Sequence, residues 1–187
     1  MANASTYFNA PVIAAARDKS SLLHACQSSV EAIFLLRSDI LSLHAQVEKI
    51  HNSGKKAFVH LDLMDGIAAD QSGVRFVARC FKPDGLISTK PSLLRHAQVE
   101  GLITIQRIFL MDSSSLENGM RLAGQLSPDY IEVLPGIVPK AISRLAGALK
   151  PPIIAGGMIT QPDEVRLALS AGAVAISTSC ASLWSFR

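Results

Sequence analysis

The sequence reads PIIAGG from residue 152 to 157 and, one helical segment later, AVAISTS from residue 173 to 179. Each stretch has the pattern of a short apolar strand that ends in glycines or in hydroxyl side chains. In a β/α barrel, the loops after the last two strands form the usual phosphate site, where glycine backbone and a short helix N-terminus contact the anion. The two stretches therefore predict a small phosphorylated ligand.

Strand and helix patterns alternate along the whole chain. Segments with an apolar spacing of 3.6 residues separate the strands, for example one capped by Asp18 and another capped by Asp112 or Ser113. Because the strands are apolar on both faces, the sheet should be parallel and covered by helices. Apolar runs predict eight strands, at residues 12–15, 32–36, 56–61, 85–88, 102–109, 130–134, 152–155 and 173–176.

Eight such units favour closure of the sheet into a barrel. We predict an α/β fold, a (β/α)8 TIM-like barrel with short helices, in one domain over residues 1–187 with its core at about 11–186. An open doubly wound sheet is the main alternative. No GxGxxG motif follows the first strand, which disfavours dinucleotide binding.

Composition and charge narrow the class of protein. The net charge of +3 permits a nucleic-acid partner without requiring one. The three cysteines include no CxxC pair, so neither a disulfide framework nor a zinc site is indicated. No apolar run approaches the roughly 20 residues that span a bilayer, and the first ten residues lack signal-peptide features. We expect a cytoplasmic protein without a membrane partner.

The phosphate residues are predicted from the ends of strands seven and eight. Glycine lets backbone N–H groups approach an anion closely, and serine and threonine hydroxyls add donors. A Gly-Gly pair alone is also common in tight turns, so the prediction depends on its combination with the hydroxyl stretch. The predicted phosphate residues are Gly156, Gly157, Ser177, Thr178 and Ser179.

Polar side chains inside apolar strands are costly to bury unless they are paired or face a ligand. We expect Asp62, Arg107 and Glu132 to line the polyol end of the ligand, with Glu132 accepting hydrogen bonds from hydroxyl groups. The alternative is an internal ion pair of Arg107 with Glu132 that only stiffens the core. Further candidates at the same rim are Arg17, His60, Lys90 and Gly136.

A phosphosugar isomerase, epimerase or lyase is the alternative function. A Schiff-base lyase needs a lysine inside a strand, and predicted strands five to eight contain none. His60, Asp62 and Glu132 could bind a divalent ion, but three ligands at unspecific spacing do not define a metal site. We therefore expect no catalytic residue, metal or cofactor; a scaffold without any ligand is a third interpretation.

Several stretches together resemble one known family, the glycerol-3-phosphate responsive antiterminators, over about residues 12–184. The block YIEVLPG at residues 130–136 is the most specific part of this resemblance. The stretches are KAFVHLDLMDG (56–66), GLISTK (85–90), IQRIF (105–109), DYIEVLPG (129–136), AGGMI (155–159), GAVAISTS (172–179) and LW (183–184).

The resemblance implies a barrel that binds glycerol 3-phosphate and, in the liganded form, stabilises leader mRNA of glycerol operons and prevents early termination. Two positions depart from the family pattern as we expect it: Lys90 in place of an arginine and Cys180 in place of an asparagine. Arg75, Arg79 and Lys82 are weak candidates for RNA contact, since solvated helix faces carry the same pattern. A homo-oligomer remains open.

Overall fold

Eight parallel strands form a closed barrel in the computed structural model, which describes residues 7–186. Each strand pairs with the next along the chain, and β8 pairs with β1. The strands are β1 (Val12–Ala16), β2 (Ala32–Leu35), β3 (Lys56–His60), β4 (Gly85–Ser88), β5 (Ile103–Phe109), β6 (Tyr130–Leu134), β7 (Ile153–Gly156) and β8 (Ala173–Thr178). The barrel prediction is confirmed; residues 1–6 and 187 of the predicted domain lie outside the described residues.

Seven α-helices cover the barrel within residues 7–186: α1 (Lys19–Gln27), α2 (Leu43–Asn52), α3 (Gln71–Phe76), α4 (Pro91–Val99), α5 (Ser113–Leu126), α6 (Pro139–Ala148) and α7 (Pro162–Ser170). A π-helical turn, Val77–Phe81, continues α3, and a 3₁₀ turn, Ala181–Leu183, follows β8. None of these helices has the length and apolar character needed to cross a membrane.

Two helix starts follow the predicted capping. The Asp18 side chain accepts a hydrogen bond of 2.8 Å from the Ser21 N–H and begins α1. Asp112 accepts one of 2.7 Å from the Ser115 N–H and begins α5, so that Asp112 rather than Ser113 is the cap. Each carboxylate satisfies a backbone donor that the first helical turn leaves unpaired.

Some strands end at other residues than predicted, because the pattern of apolar and polar side chains does not mark those ends. Ser177 pairs with Gly156, so β8 continues through Thr178 and both hydroxyl residues belong to the strand rather than to the loop. Two strands of two residues, Ser38–Asp39 and Met64–Asp65, pair outside the barrel and were not predicted. Two residues are too few to display an alternating pattern.

Apolar side chains close the amino-terminal end of the barrel. The Phe8 ring lies 4.9 Å from the ring of Tyr130 and 5.3 Å from that of Phe58, measured between centroids. The backbone N–H of Tyr7 donates a hydrogen bond of 2.8 Å to the Tyr130 hydroxyl. The packed region thus begins before residue 11, and the space for a ligand lies at the opposite, carboxyl-terminal end.

Close contact between β4 and β5 predicts the effect of one glycine substitution. A Cβ atom on Gly85 would lie 2.4 Å from the Ile103 carbonyl oxygen and 2.7 Å from Cδ1 of Phe58. We expect Gly85→Ala to lower the free energy of unfolding by about 1–3 kcal/mol, because backbone must shift to admit the methyl group. Urea unfolding measures the loss.

Gly124 of α5 is the matched control, because no heavy atom lies within 4 Å of its added Cβ. Gly124→Ala should stabilise the protein by about 1 kcal/mol through helix propensity. An unfolding midpoint of Gly85→Ala equal to that of wild type would contradict the close approach of the two strands.

Candidate ligand-binding site

A cleft of about 850 Å³ opens at the carboxyl ends of the strands. Its volume lies within the range of roughly 300–1,000 Å³ that is usual for small-molecule sites. The cleft brings together residues from both ends of the chain. The predicted residues in its lining are Arg17, Arg107, Glu132, Gly157, Ser177, Thr178 and Ser179.

A buried hydrogen-bond network forms the floor of the cleft. The carboxylate of Glu132, which is fully buried, accepts a bond of 2.6 Å from Arg107 Nε and one of 2.5 Å from Ser177 Oγ. The predicted internal ion pair therefore exists, and both of its members also line the cleft. Within residues 7–186 the terminal amino groups of Arg107 make no hydrogen bond, so they can donate to a ligand.

Gly156 makes room for this network. A Cβ atom on Gly156 would lie 2.6 Å from Ser177 Oγ and 2.7 Å from Glu132 Oε1. Gly156 is buried in β7 and lies outside the cleft lining, whereas Gly157 lines the cleft with a left-handed φ of 76°. The first glycine supports the floor, and the second shapes the loop above it.

Thr178 ties the loop after β7 to the loop after β8. Its hydroxyl donates to the Ile159 carbonyl at 2.7 Å and accepts from the Cys180 N–H at 3.0 Å. Its own carbonyl accepts a bond of 2.9 Å from Trp184 Nε1. The Thr178 hydroxyl hydrogen is therefore already committed, while the side chain of the neighbouring Ser179 is exposed at the rim.

Asp62 joins the end of β3 to the end of β4. Its carboxylate accepts bonds of 2.7 Å from Ser88 Oγ, 2.7 Å from the Thr89 N–H and 2.8 Å from Thr89 Oγ1. Burial disfavours the charged form, but the bonds from Thr89 and Ser88 outweigh it and hold the pKa of Asp62 below its usual value. Asp62 lies outside the cleft lining and positions the loop after β4.

Lys90, Gly136 and His60 also lie outside the lining. The backbone N–H of Lys90 donates to Ser88 Oγ at 3.0 Å, and the Lys90 side chain is exposed. The N–H of Gly136 donates to the Gly157 carbonyl at 3.1 Å. Gly136 therefore supports the glycine loop through its backbone.

His60 is buried within electrostatic reach of Arg107 and Glu132. Burial, followed by the nearby Arg107 charge, lowers the pKa of His60 to about 4. Its Nδ1 atom has no hydrogen-bond partner among the described residues. His60 is therefore neutral near pH 7 and adds no positive charge to the site.

Arg37 is a cleft residue that sequence reasoning missed. It follows β2 just as Arg17 follows β1, and both side chains are exposed in the cleft lining. Neither forms an ion pair within residues 7–186. A basic residue directly after a predicted strand is the signal that could have identified it. The mouth of the cleft thus carries two positive charges in addition to the paired Arg107.

The residues considered from the sequence for RNA contact and for metal binding lie outside the cleft or do not form a metal site. Arg75 and Arg79 both pair with Glu100, at 3.5 Å and 2.9 Å between Nε and a carboxylate oxygen, and Lys82 is exposed. In the part of the chain that the structure describes, no three His, Cys, Asp or Glu side chains could hold a metal ion. This includes the set of His60, Asp62 and Glu132 considered for an epimerase.

Comparison with known proteins identifies the family. Residues 12–184 match the family model described as glycerol-3-phosphate responsive antiterminator, and the chain belongs to this family. A relative from Escherichia coli K12, the uncharacterized protein YgcP, is 39% identical over 174 residues, which cover 93% of this chain and 91% of the relative.

Solved structures agree with this assignment. The glycerol uptake operon antiterminator regulatory protein of Listeria monocytogenes is 31% identical, with a TM-score of 0.93 over 97% of this chain and 98% of that chain. A glycerol uptake operon antiterminator-related protein of Thermotoga maritima is 33% identical, with a TM-score of 0.82 over 92% and 96%. Orotidine 5'-phosphate decarboxylase of Pyrococcus horikoshii, at 19% identity and a TM-score of 0.66, shares the fold alone.

The low pKa of His60 predicts a pH dependence of stability. In the unfolded chain the His60 pKa returns to about 6.5, so between pH 6.5 and 4 the unfolded state binds the extra proton. The free energy of unfolding should be highest above pH 6.5 and fall as pH decreases, with His60 accounting for roughly 2 kcal/mol of the loss at pH 5.

Urea unfolding of His60→Gln at pH 7 and pH 5 measures this contribution. The variant should lose less stability between the two pH values than wild type, whereas His44→Gln at an exposed histidine should behave as wild type. Equal pH dependence of His60→Gln and wild type would show that His60 is not buried in its neutral form.

Proposed function

We propose that this protein senses glycerol 3-phosphate in the cleft and, in the liganded form, binds and stabilises the leader mRNA of glycerol-utilisation operons as a transcriptional antiterminator. Membership of the antiterminator family supports two parts of this function, the response to an effector and the regulation of an operon. The effector itself, the RNA and a cytoplasmic location are part of the proposal, and the cleft supplies the physical argument.

The observation that carries the proposal is the convergence of cationic and loop donors in one cleft. Arg17 and Arg37 stand at its mouth without ion-pair partners in residues 7–186, and Gly157 and Ser179 form its rim. A phosphate monoester carries close to two negative charges near pH 7. Such an anion would be attracted to this mouth and held by the rim.

The phosphate is assigned to the rim at Gly157 and Ser179, which Thr178 holds in place, while Ser177 faces the cleft from the floor that Gly156 makes room for. The glycerol end is assigned to the floor, where the unpaired amino groups of Arg107 can donate to hydroxyl oxygens. Glu132 retains lone pairs that can accept from hydroxyl groups. Because donors and acceptors are both present, the floor suits a polyol.

The composition of the barrel supports a sensor rather than a lyase. Lys56 is the only lysine in the strands of residues 7–186, and it begins β3 at the closed end of the barrel. Its Nζ donates to the Tyr7 carbonyl at 2.9 Å. A Schiff base at the open cleft would require a lysine at the other end of a strand.

Ligand binding should appear as thermal stabilisation. Glycerol 3-phosphate at about 100 times its dissociation constant should stabilise the fold by about 2.7 kcal/mol, which raises the melting temperature by several degrees. Gly157→Asp should abolish the shift, because its carboxylate would occupy the place of the anion. Differential scanning fluorimetry measures both, with glycerol and inorganic phosphate as comparison ligands.

Gly101→Asp is the control for that substitution. Gly101 has a left-handed φ of 77°, close to the 76° of Gly157, and is exposed in a loop before β5. This variant should suffer the same backbone strain and keep the ligand-induced shift. An unchanged shift in Gly157→Asp would remove the glycine loop from the site, and a shift with another sugar phosphate alone would overturn the effector assignment.

RNA binding should depend on the effector. Affinity for the leader transcript of a glycerol-utilisation operon should rise with glycerol 3-phosphate by roughly 5–150-fold, the usual range of coupling between two ligands. It should also fall steeply with salt concentration, because phosphate contacts release counterions. Gel-shift titrations with and without ligand test both, and binding insensitive to ligand and salt would contradict the regulator.

A further inference from the structure

A second cleft, smaller and almost entirely apolar, lies beside the ligand cleft at the same rim. It has a volume of about 270 Å³, and its lining side chains are those of Phe109, Leu110, Met111, Leu134, Pro135 and Met158. Small-molecule sites usually exceed roughly 300 Å³. The space therefore suits one flat group of a larger partner better than a complete ligand.

The apolar lining is unusually exposed. The exposed fractions are 51% for Phe109, 86% for Met111 and 68% for Met158. Clustered apolar side chains at a surface mark an interaction site, whereas single ones need no explanation. The half-exposed ring of Phe109 offers a face on which a planar group can stack.

The charges around the mouth indicate the class of partner. The exposed Arg17 and Arg37 follow β1 and β2, which lie across the barrel from β5 and β6, where the apolar cleft is found. A partner that reaches both places crosses the mouth of the ligand cleft. Apolar stacking at one end and phosphate contacts at the other are what single-stranded RNA recognition uses.

We propose that the apolar cleft receives an unstacked base of the leader RNA, while Arg17 and Arg37 contact phosphates of the same strand. This inference rests on the proposed function and adds the surface that touches RNA. Arg75 and Arg79 fit this role less well, because both are held in ion pairs with Glu100.

Met158 connects this surface to the effector. It lines both clefts, as do Leu134 and Gly157. Its backbone has a left-handed φ of 64°, which is uncommon for a residue other than glycine. A phosphate held at Gly157 thus contacts the loop that shapes the base cleft, so the same loop serves both partners.

Stacking on Phe109 is tested by the affinity of the leader transcript in saturating glycerol 3-phosphate, measured by fluorescence anisotropy. Phe109→Ala should weaken binding by roughly tenfold, within the range of base–aromatic stacking. Phe109→Tyr keeps the ring and should bind as wild type. Phe76→Ala, which removes an exposed ring from α3, is the control and should also bind as wild type.

The phosphate contacts are tested by salt dependence. In glycerol 3-phosphate at a concentration that saturates the variant as well, Arg17→Gln/Arg37→Gln should reduce the slope of log affinity against log salt by about 1.4, as expected for two lost contacts to single-stranded nucleic acid. Arg75→Gln/Arg79→Gln removes the same charge elsewhere and should leave the slope unchanged. The opposite pattern would overturn this placement of the RNA backbone.

Transcript containing 4-thiouridine locates the base independently. Photocrosslinks should map by mass spectrometry to Phe109, Met111 or Met158, and crosslinks confined to other faces would overturn the proposal.

Sedimentation velocity tests whether a second copy of the chain occupies the apolar cleft instead. If Phe109→Ala dissociates a dimer and binds RNA normally, the cleft is a self-association surface.

The failure of this inference can be told from the failure of the proposed function. If wild type binds the RNA and Phe109→Ala binds it equally well, only this inference is refuted. If wild type does not bind the RNA, the proposed function is refuted.

Discussion

The buried carboxylate of Glu132 is the interaction on which the site depends. It joins β6 to β5 through Arg107 and to β8 through Ser177, and only a glycine at position 156 leaves space for that arrangement. Removing one partner of a buried ion pair leaves an uncompensated charge, which costs about 3–5 kcal/mol. The floor of the cleft is therefore also a buried link between three strands of the barrel.

The rim above this floor is organised by residues that hold loops rather than face the cleft. Thr178 ties together the loops after β7 and β8, and Asp62 ties the loop after β4 to the end of β3. Preorganised donors lose little freedom when an anion arrives, because their positions are already fixed. At the rim, the side chains available to a ligand are therefore the exposed ones, such as Ser179 and Arg37.

Sequence reasoning succeeded where local pattern determines structure. Apolar runs placed all eight barrel strands, and polar residues within such runs identified Arg107 and Glu132 as special. Apart from the helix caps and the Arg107–Glu132 pair, hydrogen-bond partners could not be predicted in the same way, because a bond such as that from Thr178 to the Ile159 carbonyl spans 19 residues and depends on the closed barrel. The neutralisation of Arg79 by Glu100, 21 residues away, is non-local for the same reason.

Phe8 closes one end of the barrel. Because its ring fills the amino-terminal end of the barrel, the cleft communicates with solvent through the opposite face. A small molecule would then enter and leave through the same opening of the cleft. If the proposed RNA covers this opening, it would slow the release of a bound effector, which would then persist through a brief fall in the effector concentration.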